Sequence, residues 1–179
     1  MKNSISSKTF SKYLVFTVVL FALFIMSAPS LAAIPKAGSI AILTKGPSAQ
    51  HMASVASILT RELISNGYKV VDPATLEQIR RNKAAEAALR GDVNAIMNLG
   101  RQYGFSTMIT ATLEAGMSVL NEFQLHTGTS SIAIMAMSSG GQMIYADTVS
   151  GKQVGYTADE AEQKAIEAAA RVAAKRMLE

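Results

Sequence analysis

The chain contains no cysteine. A disulfide framework, a thiolate nucleophile and cysteine-based zinc or iron–sulfur sites are therefore excluded. Histidine is almost as scarce, with only His51 and His126. Neither belongs to an HxxxH, HxH or HExxH pattern, so a histidine-rich metal centre has no sequence support. A Walker-type phosphate loop, G-x-x-x-x-G-K-[ST], is missing as well. Acidic residues are absent from the first 32 positions, and no repeat of 20–50 residues is present. These gaps remove most of the usual routes to catalysis. They leave fold and location as the properties the residues express.

What is present begins with Lys2, Lys8 and Lys12, followed by the 14-residue apolar run Tyr13–Met26, broken only by Thr17. Pro29 ends the run, and Ser30-Leu31-Ala32 supplies small residues at −3 and −1 of a cleavage site. Basic, apolar and small regions in that order are what a signal peptidase reads. The run is short for a membrane span, which needs roughly 20 residues. Residues 1–32 are therefore expected to be a signal peptide cut after Ala32, with Ala33 as the second choice and an uncleaved anchor as the alternative. Residues 33–179 then form a single αβ domain in the periplasm. Three of the 17 basic residues and none of the 13 acidic ones lie in the leader, so the domain itself is close to neutral. The basic pI gives no argument for nucleic acid.

Periodicity lays out the domain. Ser39–Thr44, SIAILT, is a short apolar run suited to a buried strand. Ser48 can cap a helix whose face carries Met52, Val55, Ile58, Leu59 and Leu63, and Asn66-Gly67 stops it. Tyr68–Val71 is a second strand. Asp72-Pro73 opens a helix running through Leu76, Ile79 and Leu89. Gly91 ends it, and Asp92 caps another with Val93, Ile96, Met97 and Leu99 inward.

From Phe105 the period changes. Thr107–Leu113 is rich in β-branched residues. Val119–His126 is a further candidate strand. Thr127-Gly128-Thr129 reads as a turn, Ser131–Met137 as an internal strand, and Ser138–Gly141 as a hairpin loop returning through Gln142–Val149. Gly151–Gly155 reads as a loop before a helix opened by the Thr157/Glu160 capping box. That helix is lined by Ala161, Ala165, Ile166, Ala169, Val172, Ala173 and Met177. The order β-α-β-α-α-β-β-β-β-α predicts an α/β (α+β) fold, one mixed sheet with helices packed on it.

Few residues stand out as sites. Asp72 and Asp92 read as helix caps, and Asp159 as a dipole partner. The loop Lys45-Gly46-Pro47-Ser48 joins a strand to a helix, so Gly46 and Ser48 are a candidate anion-binding turn. Met135 and Met137 have M-x-M spacing and would share a strand face. Thioethers suit copper(I), but the same residues suit an apolar core strand. No catalytic residue and no cofactor are expected.

Several phrases carry a family resemblance. SIAILTKG, GYKVVDPATLEQI, ALRGDVNAIMNLGRQYGFSTMITATL, SIAIMAMSSGGQMIYADTVSG and AEQKAIEAAARVAAKRM run through the chain in order. Together they resemble a set of bacterial envelope domains. The set comprises the periplasmic part of the curli secretion channel, the penicillin-binding-protein activator lipoproteins, the middle domain of flagellar assembly protein T and the N-terminal domain of TolB. Two departures matter. The channel and activator proteins carry lipid on a cysteine that this chain lacks, so no lipid anchor is expected, and membrane contact would come only through an uncleaved leader. The Asp usual in the hairpin turn is replaced within Ser138-Ser139-Gly140.

The resemblance implies a non-catalytic periplasmic protein-interaction module, an accessory in envelope assembly or transport. Its partners would be envelope proteins or further copies of itself. The alternative is a periplasmic binding protein for a small ligand or copper.

Overall fold

The computed structural model describes residues 34–179. The leader and its cleavage positions Ala32 and Ala33 lie outside the described residues.

Strand β1, Ser39–Lys45, forms where Ile40–Leu43 leave no polar side chain to solvate, and these four residues are at most 1% exposed. Helix α1, Ala49–Ser65, starts because the Ser48 hydroxyl accepts from the His51 N–H at 3.1 Å. It leads to the two-residue strand β2, Lys69–Val70. Helix α2, Pro73–Arg81, is capped by Asp72, which accepts from the Thr75 N–H at 2.9 Å. That bond holds the Asp72 carboxyl below its usual range.

The single helix expected over residues 73–89 is two. Asn82 is extended, and its Oδ1 accepts from the Ala84 N–H at 3.0 Å, which restarts the chain as α3, Ala84–Leu89. The Asn82 amide also donates to Gln102 Oε1 and the Tyr103 hydroxyl on α4, Val93–Tyr103, so the break fixes how the two helices pack.

Strand β3, Thr107–Ala115, pairs parallel with β1, from Ile40 opposite Thr107 to Lys45 opposite Thr112. It pairs antiparallel with β5, His126–Ser138, whose other edge pairs with β6, Met143–Gly155. The two-residue strand β4, Val119–Leu120, continues the β3 side of β5. The mixed sheet thus runs β2-β1-β3-β5-β6, and β6 is an edge. Helix α5, Ala158–Leu178, closes the domain. Its capping box differs slightly from the reciprocal form. Thr157 accepts from the Glu160 N–H, but the Glu160 carboxylate reaches the Tyr156 N–H at 2.8 Å. The bonds from Lys164 and Tyr156 hold that carboxyl below its usual range.

Two of the expected turns are strand. Thr127-Gly128-Thr129 lies within β5, and Gly151–Gly155 lies within β6. The chain reverses instead at Asn121–Leu125, where Asn121 Oδ1 accepts from the Phe123 and Leu125 N–H groups and Gln124 has φ of 59°. The glycines serve packing. A Cβ on Gly151 would fall onto the Ala165 carbonyl and 2.8 Å from the Ala169 nitrogen. One on Gly155 would lie 2.6 Å from the Ala161 nitrogen, and one on Gly128 would strike the same turn of α5. Helix backbone therefore rests on strand backbone, with alanine on one side and glycine on the other.

One core lies between the sheet and α1/α5, built from residues such as Ile42, Leu59, Ile109, Ile132 and Ile166. A second lies under α2–α4, with Leu43, Ile79, Ile96, Leu99, Met108 and Met137. Val93 and Val172, both expected inward, are each 39% exposed because they sit on the flanks of their helices. Near the end of α5 a polar clasp ties the helix to β6. Tyr145 OH and Arg176 Nη1 both donate to Asp147 Oδ2, at 3.1 and 3.2 Å, and the Thr148 N–H donates to Oδ1. The Arg176 bond, then the Thr148 N–H, hold the Asp147 carboxyl below its usual range. Burial, then Asp147, pushes the Tyr145 phenol up to about 12.

Gly151→Ala should destabilise by roughly 1–3 kcal/mol, an overpacking cost that lowers Tm by several degrees. Gly140→Ala, where the nearest atom to the added carbon is Ser138 Oγ at 3.6 Å, should shift Tm little. Thermal denaturation of the two variants checks this, and equal Tm values would contradict the close contact.

The clasp sets pH limits of opposite sign. The lowered Asp147 pKa stabilises above the unfolded carboxylate value near 4, and this is lost as pH falls further. The raised Tyr145 pKa stabilises below the unfolded phenol value near 10, and this is lost as pH climbs toward 12. Tyr145→Phe should flatten the alkaline limb of a denaturation series, and Arg176→Gln the acid limb.

Candidate functional site

The helices cover the two faces of the sheet unequally. On the α1/α5 side, the register places Ile109, Ala136 and Tyr145 in one row beneath helix. On the other side α2–α4 cover β1, β3 and the end of β5 around Met137. Beyond them residue rows cross three strands, the first running beneath the end of α3 and the others with no helix above them among the described residues. Thr110, Met135 and Ala146 form one row, Thr112, Ala133 and Thr148 the next, and Glu114, Ser131 and Ser150 a third. Thr129 and Lys152 follow, then Val119, Thr127 and Val154 across β4, β5 and β6. Small hydroxyl and methyl side chains make this half of the sheet flat, with Glu114 and Lys152 as its only charges.

At one end the flat area deepens into a groove of about 420 Å³ beneath the end of α3. Thr110, Thr112, Thr148 and Met135 line its floor, and Leu89, Arg90 and Gly91 its wall. Leu89 also borders a second groove of about 430 Å³ that opens over Lys45, Gly46, Met52 and Arg80. Charges at this shared rim are mutually satisfied. Glu86 lies 4.0 Å from Lys45 and 3.5 Å from Arg90. At the opposite end the surface becomes apolar. Met117, Val119, Leu120, Phe123, Val154 and Tyr156 are between 48% and 89% exposed. Most of these belong to the β3–β5 connection, where the Asn121 side-chain bonds hold Phe123 outward at 74% exposure.

The residues singled out from sequence lie around this surface rather than forming one centre. Met135 is half-buried on the groove floor. Met137 is 2% exposed in the core under α4, with Met108 directly opposite it on β3. Ser48 uses its hydroxyl to cap α1. Gly46 sits against Leu113, where a Cβ would come within 3.2 Å of that side chain. His51 faces Glu162 on α5 at 3.6 Å. His126 Nδ1 lies 3.5 Å from Ser118 Oγ. No group of three or more His, Asp or Glu side chains converges as a metal site among the described residues.

The uncovered rows were missed in the sequence because hydroxyl-rich strand residues suit any solvated face. The alternation Thr110, Thr112, Glu114 and Thr129, Ser131, Ala133 was the available signal.

No curated protein sequence matches the chain. Among solved structures, lipoprotein GNA1162 from Neisseria meningitidis is similar at a TM-score of 0.52 and 20% identity, over 67% of this chain and 85% of that one. That likeness establishes a shared fold. A PelC dodecamer from Paraburkholderia phytofirmans gives 0.48 at 10% identity, over 82% and 93% of the two chains. The LpoB C-terminal domain from Salmonella enterica gives 0.42 at 14%, over 74% and 90%. The model of the family described as TP0693-like lipoprotein, C-terminal domain, matches residues 48–178, from the cap of α1 to the end of α5, and the chain belongs to that family.

Proposed function

We propose that this chain is a non-catalytic, exported interaction module of the bacterial cell envelope, binding another envelope protein through the uncovered half of its sheet. The observation that carries this reading is the continuity of that surface. Flat hydroxyl rows on β3, β5 and β6 run into an exposed apolar end at Val119, Phe123 and Val154. Apolar anchors beside a polar, desolvatable area are the composition of a protein interface. The lipoprotein family and the leader sequence support an envelope location. The resemblance of local phrases to curli, cell-wall, flagellar and TolB domains supports a role in assembly or transport there.

A photo-crosslinking residue placed at Ala133 should capture one discrete envelope protein, and the same residue at Arg101 should not. Phe123→Ser should reduce the Ala133 product severalfold while leaving the fold intact by circular dichroism. Identical products at the two positions, or no effect of Phe123→Ser, would contradict the assignment.

A second reading is favoured by the groove beneath Leu89. Its threonine hydroxyls, the Met135 thioether and Arg90 at the rim suit a small polar ligand or a soft metal ion. Calorimetric titration with copper(I), phosphate and peptidoglycan fragments checks it. A saturable heat lost in Met135→Leu is the result this reading expects, and no heat with any of the three would end it.

A further inference from the structure

The strand β6 ends the sheet, and nothing among the described residues pairs with its outer edge. It is 13 residues long, Met143–Gly155. Natural sheets protect such an edge with proline, bulges, inward charges or a covering element. This strand has no proline, its register shift lies near its start, its inward charge Asp147 is paired with Arg176, and Lys152 is the only charge on its open face. Its outward N–H and C=O groups are a ready template for another strand.

Helix α5 adds a side-chain component. Ala165, Val172 and Arg176 fall on one stripe of the helix by their spacing. Ala165 rests on Gly151, and Arg176 reaches Asp147. Val172 therefore overhangs β6 near Val149, and it is 39% exposed. An exposed apolar residue beside a bare edge is self-complementary under a two-fold axis.

We propose that β6 pairs antiparallel with β6 of a second copy, about a two-fold axis at Val149, so that two sheets become one. In this register Thr148 faces Ser150 of the second copy, Asp147 faces Gly151, and Lys152 faces Ala146. No like charges meet between the two strands, hydroxyls oppose hydroxyls, and the two Val172 side chains approach across the axis. The partner is a second copy because the same edge and the same helix stripe supply both halves of the contact. The pairing does not rest on the docking role assigned to the open face.

The test is the solution mass of the purified full chain at micromolar concentration, by light scattering or sedimentation. The expected result is a dimer. Thr148→Lys with Ser150→Lys places like charges opposite one another twice and should weaken association about tenfold or more. Thr148→Glu with Ser150→Lys makes the same positions complementary and should restore it. Val172→Asp, on an exposed helix position that leaves the core untouched, should dissociate the dimer independently. A monomeric wild-type chain overturns the proposal. So does a dimer that survives Val172→Asp and the double lysine variant in folded protein, or a charge-swapped variant that stays as weak as the double lysine one.

Discussion

The arrangement of this domain depends on how closely α5 can approach the β5–β6 ribbon. A helix normally meets a sheet through a layer of large side chains. Here alanines at 161, 165 and 169 meet glycines at 128, 151 and 155, and the backbones themselves are the contact. The cost is local: a glycine in a strand loses more conformational freedom on folding than another residue would. The gain is a 21-residue helix held flat on the ribbon, with Ala161, Ala165, Ala169, Ala173 and Ala174 entirely removed from water. The Asp147 clasp and the Thr157 cap fix the two ends of the same contact.

That contact commits the faces of the sheet to different uses. Helices α1 and α5 close one side fully. On the other side, α2–α4 are anchored over β1 and β3 by Leu43, Ile79, Ile96 and Met108, and their short connections keep them there. The β5–β6 half of that side carries threonine, serine and alanine, which tolerate water and also allow close approach by another surface. Beside it, the outer edge of β6 keeps its backbone groups available. The proposed docking face and the proposed self-pairing edge are thus separate consequences of one helix position.

Much of the fold was legible in the residues. Ser48, Asp72, Asp92 and Thr157 each begin a helix as their chemistry requires. SIAILT and TMITATL form neighbouring buried strands. The glycines were not legible in the same way. In one sequence, a glycine that permits a turn looks the same as one that admits a helix backbone, so residues 127–129 and 151–155 read as loops. The spacing of Gly151 and Gly155 against Ala161, Ala165 and Ala169 holds the answer only once the two elements are known to touch. The break at Asn82 was hidden similarly, since it depends on Gln102 and Tyr103 about twenty residues away. Of the surface, Met135 stands out in the sequence because its side chain is distinctive. The hydroxyl rows around it do not, because exposure of one strand face is decided by where helices stop.

The most direct measurement is a nuclear Overhauser spectrum of the isotopically labelled chain across residues 151–155. Backbone contact with α5 predicts strong cross-peaks from the Gly151 α-protons to the Ala165 and Ala169 methyl groups, and from Gly155 to Ala161. Interstrand cross-peaks between Gly151 and Ser130 should accompany them. If these peaks are absent while the amides of 151–155 exchange as fast as a loop, the helix does not rest on the ribbon, and the placement of the open face and the free edge is wrong.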